Sequence, residues 1–285
     1  MNLAGAAAER WSLIHSLLLE RVMALRHPGR TLLIGLTGAQ GSGKSTFGAN
    51  FPALLAAHGM SALTCSLDDF YLTSSERRQL AREVHPLLET RGVPGTHDIA
   101  LLQRTLDDLA TASESTVTLL PGFDKIADDR LPPQDWPRHR GRPDVVLLEG
   151  WCIAARPESE ERLAVPINAL EEAADPDGRW RRFANAALAG PYTGLFDRLA
   201  LRVMLKAPGF EIVQRWRDEQ EANLARQQGR ARSMSSTQVA RFIAHYERLT
   251  RWLLEDEPAD LVIDLDQDRL PLAIRASRGT LNLRC

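Results

Sequence analysis

The sequence has few of the features that mark secreted, metal-scaffolded or membrane-spanning proteins. It contains only three cysteines, Cys65, Cys152 and Cys285, whose separations match neither a disulfide framework nor a metal-ligand motif. Scattered cysteines of this kind are typical of reduced thiols in a cytosolic protein. The apolar run at residues 11–19 is interrupted by polar side chains, is too short to span a bilayer and has no small-residue cleavage site. We therefore expect a cytoplasmic protein that makes no membrane contact.

An excess of charge of either sign is also absent. The chain has 35 basic and 37 acidic residues, for a formal net charge of -2. A balanced surface has no general attraction for nucleic acid or anionic lipid, so we expect neither as a partner. With 285 residues, 44% of them hydrophobic, the chain can form one large α/β domain, or a compact domain with a small appendage.

Five short, mostly apolar segments predict strands that are buried on both faces. Segments with helical patterns alternate with them, at residues 44–58, 74–83, 98–112 and about 209–227, and residues 117–120 form a further short strand. This alternation predicts an α/β fold with a doubly wound, parallel, five-stranded sheet. A preceding amphipathic helix at residues 3–26 should pack on the core. The five predicted strands are residues 31–37, 61–66, 144–149, 199–205 and 260–265.

Residues 38–45, Gly-Ala-Gln-Gly-Ser-Gly-Lys-Ser, stand between a predicted strand and a predicted helix. Glycines in this pattern let backbone N–H groups surround phosphate, and the helix N-terminus adds positive potential. Lys44 would reach the β- and γ-phosphates, Ser45 would bind Mg²⁺ and Thr46 would donate to the α-phosphate. A chance glycine-rich turn is the alternative, but the strand–loop–helix context favours a P-loop that binds ATP or GTP with Mg²⁺. The predicted nucleotide-binding residues are Gly38, Ala39, Gln40, Gly41, Ser42, Gly43, Lys44, Ser45 and Thr46.

Acidic residues occur where two other predicted strands end. Asp68 and Asp69 follow the strand at 61–66, and Glu149 ends the strand at 144–149. Ligands of open α/β sheets bind beyond the carboxyl ends of the strands, so these side chains should face the phosphates. Asp68 could accept the proton of an attacking hydroxyl, and Glu149 could hold Mg²⁺ beside Ser45. Each of them could instead cap a helix or a turn.

Residues 215–236 are polar and rich in arginine. An arginine-bearing helical lid here could close on the phosphates and stabilise charge in the transition state, with Arg217 as the catalytic candidate beside Lys44 and Asp68. A solvated charged face is the alternative for such a run. The arginines concerned are Arg215, Arg217, Arg226, Arg230 and Arg232.

Together these segments resemble the P-loop kinases that include uridine kinase, phosphoribulokinase and bacterial pantothenate kinase, and most of all the D-glycerate 3-kinase family. Met234 and Ser235, followed by Val239, Phe242 and Tyr246, resemble the segment after that family's lid. The chain departs from the family at residues 151–156, where the family usually has a glycine after the tryptophan region. The segments that carry the resemblance are residues 38–46, 66–73, 91–98, 121–125 with 129–130, and 148–151.

The resemblance implies ATP-dependent phosphorylation of a small-molecule hydroxyl, most closely D-glycerate to 3-phosphoglycerate. It implies a kinase domain at residues 31–285 after an N-terminal helical segment at 1–30, with acceptor-side segments at about 70–143 and a lid at about 215–236. A carboxylate acceptor needs a cation in its site, for which Arg91, Lys125 and Arg130 are candidates. The residues implied on the acceptor side are Asp69, Tyr71, Arg91, His97, Asp98, Asp124, Lys125 and Arg130.

Three alternatives to a glycerate kinase stay open from the sequence. The acceptor could be another small alcohol, such as uridine or pantothenate. The chain could instead be a nucleotide-hydrolysing switch or assembly protein, although it has no Asn-Lys-x-Asp guanine-reading motif. A DNA-linked ATPase is disfavoured, because the chain has neither net positive charge nor a second nucleic-acid module.

Overall fold

The structure is a computed structural model that describes residues 3–228 and 235–276. Helices and strands alternate along most of this length. The helices are α1 (Leu3–Leu25), α2 (Lys44–Ala56), α3 (Ser74–Glu83), α4 (Ile99–Thr111), α5 (Glu160–Leu163), α6 (Ala169–Ala174), α7 (Arg179–Ala187), α8 (Thr193–Phe196), α9 (Glu211–Gln228) and α10 (Ser236–Asp256). The strands are β1 (Leu32–Gly38), β2 (Ala62–Ser66), β3 (Val117–Leu119), β4 (Phe123–Asp124), β5 (Asp129–Arg130), β6 (Arg138–Arg140), β7 (Val145–Gly150), β8 (Leu201–Lys206), β9 (Leu261–Leu265) and β10 (Pro271–Ala276).

The central sheet has six strands in the order β10-β9-β8-β1-β7-β2. The five predicted strands are all present and parallel, which confirms the α/β class with a mostly parallel sheet. β1 and β7 occupy the middle, and every residue of β7 is buried, as expected for a strand covered by helices on both faces. Helices cover both faces of the sheet and bury one apolar cluster on each side.

The prediction of five strands was wrong by one, because β10 adds an antiparallel edge to the sheet. β10 pairs only with β9, and of its side chains only Pro271 and Ile274 are buried. β10 follows β9 across the short turn at residues 266–270, so it lies outside the alternation of strands and helices by which the other five were recognised. The short predicted strand near Val117 forms β3, which pairs with β6 in a separate two-stranded sheet.

The N-terminal helix α1 packs against the central sheet through Ile14, Leu18 and Val22, which are buried in the same apolar cluster as β1 and β8. Arg10 also donates from its guanidinium to the carbonyl oxygen of Pro271 at 3.1 Å. Over the described ranges 3–228 and 235–276, no helix combines the length and apolar character needed to cross a membrane.

Candidate active site

The sheet order brings the ends of β1, β2 and β7 together at one edge. Glu149 on β7 is in register with Leu36 on β1 and with Ser66 on β2, so the residues that follow these strands converge. The phosphate-binding segment follows β1, and a single 3₁₀ turn, Leu67–Phe70, follows β2 and carries Asp68 and Asp69. The predicted juxtaposition of the loop with the acidic residues thus arises from parallel strand pairing.

The loop between β1 and α2 has the backbone shape of a phosphate cradle. Gly41 and Gly43 have φ angles of 80° and 94°, which L-residues with side chains rarely adopt. Gly43 also forms the N-cap of α2, and no side chain caps this helix N-terminus. The N–H groups of the first turn are therefore available to an anion.

Lys44 is folded back onto the loop. Its Nζ donates to the carbonyl oxygens of Gly38 at 2.7 Å and Ala39 at 3.1 Å. Burial lowers the pKa of this ammonium group, while the nearby carboxylates of Glu149 and Asp68 act in the opposite direction. A phosphate oxygen could replace the two carbonyl partners, so Lys44 can serve a nucleotide without a change in backbone.

A nucleoside triphosphate with Mg²⁺ fits these residues. Two buried side-chain oxygens of the loop, Gln40 Oε1 and Ser42 Oγ, have no hydrogen-bond partner in the described part of the protein, and the Ser42 hydroxyl could donate to a phosphate oxygen. The same part contains no cluster of three or more His, Cys, Asp or Glu side chains that could hold a metal alone. Mg²⁺ would therefore be held by few protein groups, Ser45 and Glu149, together with phosphate oxygens and water, as this ion commonly is in nucleotide sites.

A cleft opens beside the loop and joins the predicted donor and acceptor residues. Ten of the predicted site residues line it, which brings the loop, two acidic residues and helix α9 into one site. Five more lining residues were not predicted, namely Gly150, Trp151, Gln220, Phe242 and Tyr246. The predicted ones are Gln40, Gly41, Lys44, Ser45, Asp68, Tyr71, Arg91, Lys125, Glu149 and Arg217.

Asp68 lies between two hydrogen-bond donors. Lys125 Nζ donates to its Oδ2 at 3.0 Å, and the Tyr71 hydroxyl donates to its Oδ1 at 3.2 Å. Burial raises the pKa of Asp68, but the charge and hydrogen bond of Lys125, with smaller contributions from His97 and Lys44, hold the net pKa below its ordinary value. The carboxylate is thus ionised at neutral pH and can accept a proton.

Asp69, the next residue, has the opposite character. Burial and the neighbouring charges of Asp68 and Glu149 raise its pKa to about 6, although Lys125 and a hydrogen bond from the Phe123 backbone act against this. Two adjacent carboxyl groups therefore have separated pKa values, a pattern typical of catalytic sites. Asp68 is nevertheless the better placed of the two to act as a base, because it lines the cleft and Asp69 does not.

Arg91 is the cleft arginine on the acceptor side. It shares the carboxylate of Asp128 with Arg77, which is 1% exposed and donates to Asp128 Oδ2 at 2.6 Å. Both guanidinium groups also lie over the Phe123 ring, at 5.6 Å for Arg77 and 5.5 Å for Arg91. Arg91 is thus held by Asp128 and the Phe123 ring, and its guanidinium group lines the cleft.

His97 does not line the cleft but supports Tyr71, which does. The two rings stack at 4.3 Å, and His97 Nδ1 lies 2.6 Å from the Tyr192 hydroxyl, which accepts a hydrogen bond from the Gly95 N–H. Burial lowers the pKa of His97 to about 4, so the ring is neutral. Its Nε2 is buried without a hydrogen-bond partner among the residues described here.

The other acceptor-side residues make structural contacts. Asp98 caps α4 by accepting from the Leu101 N–H at 2.9 Å. Arg130 pairs with Asp98 and donates to the Tyr71 carbonyl, and Asp124 accepts two backbone N–H groups of its own turn. None of these three residues lines the cleft, and a direct contact with an acceptor stays a prediction for each.

The arginines of the predicted lid point in different directions. Arg217, on α9, lines the cleft, pairs with Glu221 at 2.5 Å and lies over the Phe242 ring at 5.4 Å. Arg215 points away and pairs with Asp268, while Arg226 is exposed and donates to the Ala222 carbonyl. Arg230, Arg232 and Met234 lie outside the described residues.

The unpredicted aromatic wall of the cleft comes from residues far apart in sequence. Tyr246 on α10 packs edge-on against Trp151, with ring centroids 4.8 Å apart, and its ring is tilted against that of Phe242 at 4.9 Å. Its hydroxyl donates to the Arg91 carbonyl, and Trp151 Nε1 donates to the Gly92 carbonyl. The four-residue spacing of Phe242 and Tyr246 was the available signal, since such pairs share a helix face.

The parallel sheet, the glycine-rich loop with its lysine, the ionised carboxylate in the cleft and the arginine of the covering helix define a P-loop phosphotransferase. No family model matches the chain. It is 29% identical over 265 residues to the uncharacterized kinase mug58 of Schizosaccharomyces pombe, covering 86% of this chain and 92% of that protein. It is 30% identical over 259 residues to the chloroplastic D-glycerate 3-kinase of Arabidopsis thaliana, covering 85% of this chain and 54% of the plant protein.

A solved structure shows the same relationship. The D-glycerate 3-kinase from Cryptococcus neoformans var. grubii is 26% identical, with a TM-score of 0.70, and the match covers 87% of this chain and 90% of that one. Over most of its length the chain is therefore similar to kinases, two of which are named D-glycerate 3-kinase. Its relatives indicate an ATP-dependent kinase.

Proposed function

We propose that this kinase transfers the γ-phosphoryl group of ATP to the 3-hydroxyl of D-glycerate in the cytoplasm. The observation that carries this proposal is that the ionised carboxylate of Asp68 and the guanidinium group of Arg91 line the same cleft as Lys44. A hydroxyl acid needs a base for its hydroxyl and a cation for its carboxylate, and this pair supplies both. Two relatives bear the name D-glycerate 3-kinase, which supports the same acceptor.

In this proposal the nucleotide phosphates lie in the loop, against the N–H groups of the first turn of α2. Lys44 exchanges its carbonyl partners for phosphate oxygens and stabilises the charge that develops on the transferred group. Ser45 and Glu149 would hold Mg²⁺, which supplies further charge neutralisation. Thr46, exposed beside Ser45, stays available to the α-phosphate.

The acceptor carboxylate lies near Arg91, and its terminal hydroxyl points to Asp68. As the hydroxyl oxygen bonds to the γ-phosphorus, its proton passes to Asp68, and the bond from phosphorus to the bridging oxygen breaks to leave ADP. Lys125 and Tyr71 keep Asp68 ionised and oriented. Arg217 lines the same cleft, where its guanidinium group can meet the transferred phosphoryl group.

A panel of acceptors in an assay of ADP release tests the proposal. We expect turnover with D-glycerate to exceed turnover with glycerol, uridine and pantothenate, because glycerol lacks the carboxylate that Arg91 would bind. If D-glycerate gave no turnover while one of the others did, the proposed acceptor would be wrong. ADP release that no acceptor stimulates would indicate a nucleotide-hydrolysing protein instead.

Arg91→Met tests the carboxylate contact within the same panel. A charge-assisted hydrogen bond contributes about 1.5–3 kcal/mol, so the KM for D-glycerate should rise at least about tenfold. The KM for ATP should stay within about twofold, because Arg91 does not contact the loop residues. Arg78→Met, an exposed arginine on α3 that bonds Ser74, is the control. An unchanged KM for D-glycerate would remove Arg91 from the acceptor site.

A further inference from the structure

The turn between β9 and β10 carries an arginine that touches both the phosphate-binding loop and the lid helix. Arg269 is one of four described non-glycine residues with positive φ, at 66°. Backbone of this kind is unfavourable for a side chain as large as arginine and persists where surrounding contacts fix it. The side chain of Arg269 makes two sets of contacts that fix it in this position.

The first contact is with the phosphate-binding loop. Arg269 Nε donates to the carbonyl oxygen of Gly41 at 2.6 Å. Gly41 is also the point where the loop packs against α9, because a Cβ placed on it would lie 2.6 Å from Trp216 Cβ. The loop and the lid helix therefore meet without intervening side chains at the residue that Arg269 holds.

The second set of contacts is with α9. Arg269 Nη1 pairs with Glu219 at 2.8 Å, and its guanidinium lies over the Trp216 ring at 5.1 Å. The Trp216 indole N–H in turn donates to the carbonyl oxygen of Gln267 in the same turn at 2.7 Å. One guanidinium thus joins three elements, and only a planar group with several donors can make these contacts together.

The helix that Arg269 anchors carries Arg217 into the cleft. Trp216 and Glu219 flank Arg217 on α9, so a displacement of their side of the helix would also move the cleft arginine. We propose that Arg269 is a positioning residue that fixes the distance between the phosphate-binding loop and Arg217. This proposal rests on the proposed function, because it assumes that phosphate occupies the loop and that Arg217 meets the transferred group.

A purely structural role would give different results from a positioning role. If Arg269 only stabilised the β9–β10 turn, its loss would lower the melting temperature without changing affinity for phosphate. A suitable control is Arg275, on the adjacent β10, whose exposed side-chain fraction of 27% is close to the 29% of Arg269. Its ion pairs are with Glu257 and Asp264, residues outside the loop and α9.

The experiment compares Arg269→Gln, Arg269→Lys, Glu219→Gln and Arg275→Gln in the full chain. Calorimetry measures the Kd of MgADP and of Mg-tripolyphosphate, which has phosphates but no base, and the ADP-release assay gives kcat. We expect Arg269→Gln to weaken both ligands by the same factor, about tenfold, and to lower kcat at least about tenfold, since small displacements in a phosphoryl-transfer site are costly. Arg269→Lys and Glu219→Gln should show smaller losses of both, and Arg275→Gln should stay within about twofold while its melting temperature falls.

Each outcome bears on the inference. Unchanged Kd and kcat in Arg269→Gln, or equal losses in Arg275→Gln, would overturn the positioning role and leave the proposed function intact. Weaker binding of MgADP alone, with unchanged binding of Mg-tripolyphosphate, would also overturn the positioning role. That result would show that Arg269 acts on the adenosine part of the nucleotide and not on its phosphates. Failure of the unmodified chain to bind either ligand would overturn the proposed function and this inference together.

Discussion

Replacement of Asp68 by asparagine removes the proposed base and leaves the shape of the cleft nearly unchanged. Asparagine can still accept from Tyr71, but it cannot accept a proton from the acceptor, and its amide group faces the Lys125 ammonium that now donates to Oδ2 at 3.0 Å. A general base contributes about 100-fold to 10,000-fold to the rate. Since Lys125 holds the pKa of Asp68 below its ordinary value and so weakens it as a base, the loss should lie near the lower limit.

We therefore expect kcat to fall about 100-fold, which corresponds to about 2.7 kcal/mol of transition-state stabilisation. Binding of MgADP should not weaken, because the loop contacts are intact and a negative charge near Lys44 has been removed without altering the phosphate cradle. Steady-state ADP release gives kcat, and calorimetry gives the Kd. Asp107→Asn, on α4, changes an exposed carboxylate that pairs with Arg198 and serves as the control. Turnover of Asp68→Asn within about threefold of the unmodified chain would refute this role.

Two further predictions concern stability. The pKa of Asp69, raised to about 6, means that the folded state binds more protons than the unfolded state between about pH 4 and pH 6, so stability should fall as pH rises through this window. Asp69→Asn should remove this fall and raise the melting temperature above pH 6 but not at pH 4, and the same pH slope in both proteins would contradict it. Gly92→Ala would place a Cβ 2.2 Å from the Tyr246 hydroxyl at a φ of 141°, so it should destabilise the protein by about 1–3 kcal/mol and raise the KM of the acceptor. Gly59→Ala, at a φ of 70° with open space around the new Cβ, is its control in thermal unfolding, and equal losses in both would show that the contact with Tyr246 is unimportant.

The strands of the central sheet were easiest to predict from the sequence where most of their residues are buried. Four of the five predicted strands, β1, β7, β8 and β9, are mostly buried, so their apolar runs were visible in the sequence, whereas only Cys65 is buried in β2. β10 was missed because it follows β9 through a short turn and pairs antiparallel, outside the alternation of strands and helices. The four helices between residues 160 and 196 were missed for another reason, since they contain only four to nine residues each and cannot show a helical repeat.

The candidate site was predictable at the phosphate end because its residues are contiguous. Residues 38–46 form a loop whose chemistry follows from its own sequence. The acceptor end combines side chains from α10, β7 and several loops, so Tyr246 and Trp151 could not be assigned to it from spacing. A sequence also does not reveal which charged side chains pair with each other. Arg130 and Asp98 were both predicted to contact the acceptor, but they form an ion pair outside the cleft, and Arg130 donates to the carbonyl oxygen of the cleft residue Tyr71.

The position of phosphorylation on D-glycerate tests the central claim most directly. The unmodified chain would be incubated with MgATP and D-glycerate, and the product identified by phosphorus and proton NMR. We expect 3-phosphoglycerate and ADP in equal amounts, because the carboxylate at Arg91 directs the terminal hydroxyl to Asp68. Formation of 2-phosphoglycerate, or of ADP and inorganic phosphate with unchanged glycerate, would contradict the proposed arrangement of base, cation and phosphate.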